Sequence, residues 1–238
     1  MQSETPFLGV LCWEEGGSPK GLEQLESLTG NSTNPLTYPF PVLFKKVVGA
    51  NYQSVLVSPD TGLVGPMLET AEAMIDQGVK SIITSCGFNA IFQKELAAAL
   101  TVPIYTSALL QIPFIRASLG RQKLVVITAS KQDLKPDHFH AVGVMDMHGI
   151  EIYGMEEMPE WSKISSSPDK PILLEKVENE VVSVAAVAKK EHPDLGAILL
   201  ECTDLPPFAN TIRKALNLQV YDLLTMVALI HKSFSTAL

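Results

Sequence analysis

Hydrophobic residues occur along the chain in short continuous runs separated by longer stretches with helical spacing. A continuous apolar run of about four to eight residues is typical of a parallel strand that is buried on both faces. The pattern therefore predicts a chain built largely from buried strands. These runs lie at residues 7–12, 41–48, 81–84, 102–105, 123–128, 150–153, 196–200 and 218–221.

Most of the intervening stretches repeat apolar residues with the period of a helix. Strands that alternate with helices predict parallel sheets covered by helices on both faces. Two polar stretches, residues 12–40 and 155–168, are instead predicted to be long loops, the first with at most a short helix at residues 22–28. Loops of that length in a compact domain are usually binding loops or lids. The other predicted helices span residues 62–77, 89–100, 109–119, 137–148, 171–191, 206–216 and 223–234.

Two stretches of the chain resemble each other: Ile82 to Phe88 (IITSCGF) and Ile198 to Asp204 (ILLECTD). Each is an apolar run that stops at a cysteine, Cys86 or Cys202, and gives way to a helical pattern. Similar residues also face each other downstream when the cysteines are aligned, and an earlier strand precedes each cysteine by nearly the same distance. This duplication predicts an α/β fold of two pseudo-symmetric three-layer lobes with mostly parallel sheets.

The boundaries of the lobes follow from the same alignment. The last predicted helix corresponds to the segment that ends the first half, so we expect it to pack back on the first lobe. The first lobe then comprises residues 1–107 with 222–238 and carries Cys86, and the second comprises residues 108–221 and carries Cys202. The active site is expected in the cleft between them.

Both cysteines are predicted at carboxyl ends of strands and beside helix starts, where ligand sites form in α/β proteins. The helix dipole and free amides there stabilise anions, so we expect lowered thiol pKa values. Two such thiols on opposite walls suit racemisation, in which one group removes a proton and the other returns one. This chemistry requires no cofactor. Cys12, at the end of a strand without such a twin, is assigned a structural role.

The residues around both cysteines resemble the cofactor-independent aspartate/glutamate racemase superfamily, which includes hydantoin racemase, maleate isomerase and arylmalonate decarboxylase. The resemblance implies that the cysteines are opposed acid and base, and that Asn34, Gly87, Phe88, Thr128, Ser130 and Thr203 bind the substrate carboxylate. It also allows a homodimer. The matching stretches are TSCGF at 84–88, LLECTDLPP at 199–207, the VIT-x-S pattern at 126–130 and NPLTYPFPV at 34–42.

Alternatives remain at this stage. Amino-acid racemases carry Cys-Asn-Thr where this chain has Gly87 and Phe88 after the cysteine, whereas the decarboxylase branch lacks the first cysteine altogether. An isomerase or lyase with one nucleophilic cysteine, as in maleate isomerase, a hydantoin racemase and a binding protein with a retained cleft are the other hypotheses. Thr128 and Ser130 are also placed to cap a helix, and Asn34 to form a turn before Pro35.

The amino-acid composition excludes several classes of binding partner. The 238 residues carry a formal net charge of −8, which argues against nucleic acid or an anionic membrane as a partner. Three widely spaced cysteines form no disulfide framework or metal motif, and His138 and His140 are two residues apart, so no metal site is predicted. The start of the chain lacks a signal-peptide pattern, and the apolar run at 223–230 is too short to span a bilayer. We expect a cytoplasmic enzyme with a small carboxylate-bearing substrate.

Overall fold

The fold consists of two four-stranded parallel sheets, as seen in a computed structural model that describes residues 5 to 14 and 19 to 234. Residues 15 to 18 of the first predicted loop, and the first and last four residues of the chain, lie outside the described part. All eight predicted strands are confirmed. They are β1 (Leu8–Cys12), β2 (Val42–Lys46), β3 (Ser81–Thr84), β4 (Ile104–Tyr105), β5 (Lys123–Thr128), β6 (Ile150–Gly154), β7 (Leu195–Leu200) and β8 (Gln219–Tyr221).

The two sheets have the same topology. The first has the strand order β2-β1-β3-β4 and the second the order β6-β5-β7-β8, with every neighbouring pair parallel. In each sheet the strand before a cysteine, β3 or β7, is therefore an inner strand. β3 and the last five residues of β5 are fully buried, which explains why they read as continuous apolar runs. The predicted duplication and the α/β class are confirmed.

Helices cover the sheets at most of the predicted positions, with three differences. α5 ends after two turns rather than continuing to residue 148, a short helix lies inside the predicted loop 155–168, and Gln53–Val57 forms a π-helix that the sequence pattern did not indicate. The helices are α1 (Lys20–Glu26), α2 (Val64–Ile75), α3 (Gln93–Ala99), α4 (Ile112–Leu119), α5 (Pro136–Ala141), α6 (Lys163–Ser166), α7 (Leu174–Glu191), α8 (Ala209–Leu216) and α9 (Leu223–Phe234).

The hydrophobic core is continuous across the two halves of the chain. The apolar face of α7 is buried against the second sheet and consists of Val177, Val181, Val184, Ala185 and Ala188. Buried residues of β1 and β3 form one cluster with Leu124 and Leu199 of the second sheet and with Met226 and Ile230 of α9. The burial of α9 in this cluster is compatible with the division of the chain into lobes 1–107 with 222–238 and 108–221, which stays a prediction.

The helices of the described residues are all too short or too polar to cross a membrane. The fold does not test the predicted cytoplasmic location or the predicted homodimer, which stay predictions.

Candidate active site

Cys86 and Cys202 lie at equivalent places, two residues after the ends of β3 and β7. Because both strands are inner strands of parallel sheets, their carboxyl ends present the two thiols to the cleft. The two residues are 9% and 8% exposed, and both line one cavity of about 640 Å³. The structure thus brings the two predicted catalytic residues together.

Polar groups surround each thiol, and one hydrogen bond joins the two loops. The backbone amides of Phe88 and Asn89 act to lower the pKa of the Cys86 thiol, and the amide of Asp204 acts to lower that of Cys202. Cys202 Sγ in turn donates to Asp204 Oδ2 at 3.6 Å. Thr203 Oγ1 donates to the carbonyl oxygen of Ser85 at 2.5 Å, which links the loop of one cysteine directly to the loop of the other.

The expectation of lowered thiol pKa values is wrong. Burial raises the pKa of both thiols well above the ordinary value, and nearby carboxyl groups raise it further, mainly Glu201 for Cys86 and Asp204 for Cys202. The backbone amides act in the predicted direction, but their effect is smaller. Since a cation would offset the negative charge near the thiols, a positively charged ligand in the cavity would favour the thiolate.

The remaining predicted substrate residues divide into two groups. Gly87, Phe88, Ser130 and Thr203 line the cavity. The Phe88 ring is itself buried and packs edge-on against His138, with ring centroids 5.2 Å apart, so most of its surface is unavailable to a ligand. The Ser130 hydroxyl donates to Asp133 Oδ2 at 2.6 Å.

Asn34 and Thr128 do not line the cavity. The Asn34 side chain accepts a hydrogen bond from the Leu36 amide at 2.9 Å and donates to the Ser27 carbonyl at 2.7 Å, as expected of a turn residue before proline. Thr128 is fully buried, and its hydroxyl donates to Glu201 Oε2 at 2.7 Å. Thr128 thus contacts the residue that precedes Cys202, whereas the Asn34 side chain holds a turn of the first predicted loop.

Sequence reasoning missed most of the carboxyl groups and aromatic rings that line the cavity. The two predicted loops supply most of these side chains, so their length and polarity were the only signal. No Lys or Arg of the described residues lines the cavity. The acidic residues are Glu26, Asp133, Glu156, Glu157 and Asp204, and the aromatic residues besides Phe88 are Trp13, Tyr52 and Trp161.

The first of these loops is anchored at the second cysteine. Asn31 Nδ2 donates to Asp204 Oδ1 at 2.7 Å, and Asp204 also accepts the Cys202 thiol. Burial, followed by the charge of Asp204, raises the pKa of Glu26 to about 7. Among the described residues, no group of three or more His, Cys, Asp or Glu side chains is arranged to hold a metal ion.

The chain has the fold of the aspartate/glutamate/hydantoin racemase superfamily. A glutamate racemase isoform from Bacillus anthracis superposes with a TM-score of 0.54 at 14% identity, covering 95% of this chain and 82% of the racemase. Allantoin racemase from Pseudomonas fluorescens gives 0.59 at 16%, covering 95% and 89%, and unliganded arylmalonate decarboxylase gives 0.52 at 16%, covering 92% and 87%. These likenesses establish the fold alone, and they confirm the predicted resemblance at that level.

The curated proteins that are similar in sequence are dimethylsulfoniopropionate lyases, whereas the structural neighbours are racemases and a decarboxylase. The protein from Durusdinium sp. clade D is 31% identical over 205 residues, which are 82% of this chain and 66% of that protein. Dimethylsulfoniopropionate lyase 5 from Emiliania huxleyi (strain CCMP1516) is 25% identical over 242 residues, 98% of this chain and 46% of the relative. The chain thus spans about half to two thirds of these relatives. No family model matches it.

The buried carboxyl group of Glu201 predicts a pH dependence of folding stability. Burial raises its pKa to about 7, so the folded state binds a proton that the unfolded state releases near pH 4.5. Protonated Glu201 therefore contributes to the free energy of unfolding. This stabilising contribution is complete below pH 4.5 and is lost as the pH rises through about 7. We expect Glu201 to lower the unfolding free energy, measured by urea denaturation, by about 1 kcal/mol between pH 6.5 and 8.5. Glu26, whose pKa is also raised to about 7, adds a loss of similar size in both the wild type and the variant described next.

The matched variant is Glu201→Gln, which cannot ionise. Its unfolding free energy should change less over the same pH range, and it should exceed that of the wild type at pH 8.5. Equal slopes for the two proteins would show that Glu201 is ionised throughout the range.

Proposed function

We propose that the chain is a cofactor-independent lyase that acts on a small carboxylate carrying a sulfonium group on the β-carbon, with dimethylsulfoniopropionate as the substrate to test. Cys86 is its catalytic base, and Cys202 lines the same cavity. The name of the relatives, dimethylsulfoniopropionate lyase, suggests this substrate, and the composition of the cavity supports it independently.

The observation that carries the proposal is the charge of the cavity around the two thiols. Five carboxyl groups and the rings of Trp13, Tyr52 and Trp161 line it, without a lysine or arginine among the described residues. Aromatic faces and carboxylates are the groups that bind sulfonium and quaternary ammonium cations. A dicarboxylate such as glutamate would instead meet repulsion there. The acidic lining therefore favours a substrate with a cationic end.

The carboxylate end of the substrate requires donors, which the two cysteine loops supply. The residues next to the thiols that line the cavity are Ser85, Gly87 and Thr203, and they offer the backbone amides of Gly87 and Thr203 and the hydroxyl of Ser85. Preorganised amides of this kind stabilise the enolate-like charge that develops when the carbon next to a carboxylate loses a proton. Neither role requires a positively charged side chain.

The proposed reaction is a β-elimination. Cys86 is the base, because the backbone amides of Phe88 and Asn89 favour its thiolate. This thiolate takes the proton from the carbon next to the carboxylate. The electron pair of that C–H bond forms the carbon–carbon double bond, the C–S bond to the sulfonium breaks, and the sulfide leaves as a neutral molecule. The products are dimethyl sulfide and acrylate. Cys86 then returns its proton to water.

Racemisation or epimerisation at a carbon next to a carboxylate, on an amino acid or a derivative such as a hydantoin, is the second candidate. The presence of two thiols in one cavity favours it, because a racemase needs a base on one side and an acid on the other. Cys202, whose thiol donates to Asp204, is suited to be the acid. The one-cysteine nucleophile mechanism would instead form a covalent adduct during turnover.

One experiment in deuterium oxide separates the candidates. Purified protein is incubated with dimethylsulfoniopropionate, and separately with aspartate, glutamate, allantoin and hydantoins, while dimethyl sulfide is measured by gas chromatography and deuterium at carbon by NMR. Release of dimethyl sulfide with acrylate supports the lyase. Deuterium exchange at a stereocentre without elimination supports the racemase, and a trapped thioether adduct supports the nucleophile mechanism.

The cation preference can be tested without turnover. We expect 3-(trimethylammonio)propanoate to bind at least about tenfold more tightly than 4,4-dimethylpentanoate, which has the same shape but a neutral quaternary carbon. Isothermal titration calorimetry measures both affinities. Because the two ligands differ only in charge, equal affinities would contradict the assignment of the acidic, aromatic lining to a cationic group.

A further inference from the structure

Glu201, which directly precedes Cys202, is a fully buried carboxyl group that does not line the cavity. It lies at the end of β7 and extends to the loop of the other cysteine: a Cβ atom placed on Gly87 would collide with Glu201 Oε1 and would come within 2.5 Å of the Glu201 carbonyl oxygen. The carboxyl group therefore occupies the space that a side chain after Cys86 would otherwise fill.

The two oxygens of this carboxyl group differ in their contacts. Oε2 accepts the hydroxyl of Thr128 at 2.7 Å, whereas Oε1 is buried and has no hydrogen-bond partner in the described residues. An ionised carboxylate with an unsatisfied buried oxygen is costly, and protonation removes most of that cost. Burial and then the charge of Asp204 raise the Glu201 pKa to about 7, while the Thr128 hydrogen bond lowers it.

Glu201 in turn acts on the thiols. After burial, it is the largest influence that raises the pKa of Cys86, and it ranks behind Asp204 for Cys202. The titratable groups with the largest effects on the two thiols are thus Glu201 and Asp204. Two groups that interact this strongly titrate as a pair. The carboxyl groups that line the same cavity and face the thiols from the other loops are those of Glu26, Asp133, Glu156 and Glu157.

We propose that Glu201 is a positioning residue that shares one proton with Cys86: while Glu201 holds the proton the Cys86 thiolate can form, and when Glu201 ionises the thiol is retained. The role given to Cys86 rests on the proposed function. The coupling itself concerns only the two side chains, and it can be measured without any substrate.

The test is the pH dependence of thiol alkylation. Native protein and the Glu201→Gln variant are treated with iodoacetamide between pH 6 and 10, and modification of each cysteine is quantified by peptide mass spectrometry. Burial raises the Cys86 pKa well above its ordinary value, so the readout is the alkylation rate at each pH below that pKa. We expect Cys86 to react about tenfold faster in the variant, which corresponds to the effect of one neighbouring charge in a partly desolvated site. The increase at Cys202 should be smaller.

Two controls separate coupling from a general loosening of the structure. Cys12 serves as an internal control, because a loosened fold would also increase its alkylation, whereas loss of the Glu201 charge would not. Glu175→Gln removes the same charge from the exposed first turn of α7 and should leave all three profiles unchanged. If the folded Glu201→Gln protein shows the same Cys86 alkylation rate at every pH as the native protein, the proposal is overturned.

If Glu201→Gln does not fold, a measurement on the native carboxyl decides. Glutamate carboxyl groups are labelled with ¹³C in a Glu26→Gln background, which removes the other glutamate whose pKa is raised to about 7. NMR should then show one glutamate carboxyl signal that titrates near neutral pH. If no glutamate signal titrates near neutral pH, Glu201 does not hold a proton there and the proposal is overturned. Absence of dimethyl sulfide release together with faster Cys86 alkylation in the variant would reject the proposed function but not the coupling.

Discussion

Replacement of Cys86 by serine is expected to lower kcat/KM for elimination from dimethylsulfoniopropionate by about 10³-fold or more. The serine hydroxyl is a far weaker acid than a thiol, so the two amides from Phe88 and Asn89 cannot generate a usable base from it. KM should change little, because the substitution keeps the shape of the site. Initial rates of dimethyl sulfide release measure both parameters.

Cys12→Ser is the matched control. Cys12 is half-buried at the end of β1, its thiol donates to the Val10 carbonyl at 3.6 Å, and it is not among the residues that line the cavity. Its substitution should leave kcat/KM within about twofold of the wild type. A Cys86→Ser protein that retained a tenth or more of the activity would contradict the role of Cys86 as the base.

The sequence was sufficient to predict the fold because the fold repeats itself. Continuous apolar strands such as β3 and β5 are buried on both faces, and this burial is the physical cause of the pattern that revealed them. The duplicated cysteine stretches then implied two equivalent sheets, and the strand orders match. The end of α5 was predicted too late because the helical pattern of the sequence continues to residue 148. Gly143, which adopts a positive φ of 85° just after the C-cap, is the sequence signal that marks the true end.

The candidate site was predictable only in part. The local sequence pattern revealed where the strands end, and Cys86 and Cys202 closely follow two of those ends. Their positions could therefore be predicted from one stretch of sequence at a time. The acidic and aromatic lining depends on how two long loops fold over the cleft, which has no periodic signal. The raised thiol pKa values arise first from the burial of the thiols and then from the charges of Glu201 and Asp204, and sequence spacing does not reveal burial.

Replacement of Gly87 by alanine is expected to destabilise the protein by about 2–3 kcal/mol and to lower elimination activity by about 100-fold. The new methyl group would lie 2.5 Å from the Glu201 carbonyl oxygen, a backbone atom that cannot rotate away. The two cysteine loops would have to separate, which stretches the Thr203–Ser85 hydrogen bond and changes the spacing of the thiols. Urea denaturation and dimethyl sulfide release measure the two effects.

Two further variants identify the cause. Gly65→Ala lies on α2 where an added methyl group meets no atom within 4 Å, so it should be neutral or slightly stabilising. Combining Gly87→Ala with Glu201→Ala removes the carboxyl group but leaves the carbonyl contact, so stability should recover only in part. Full recovery in the double variant would assign the collision to the Glu201 side chain alone. Wild-type stability of Gly87→Ala would instead mean that the two loops separate at little cost, and that the contact between Gly87 and Glu201 does not fix the distance between the thiols.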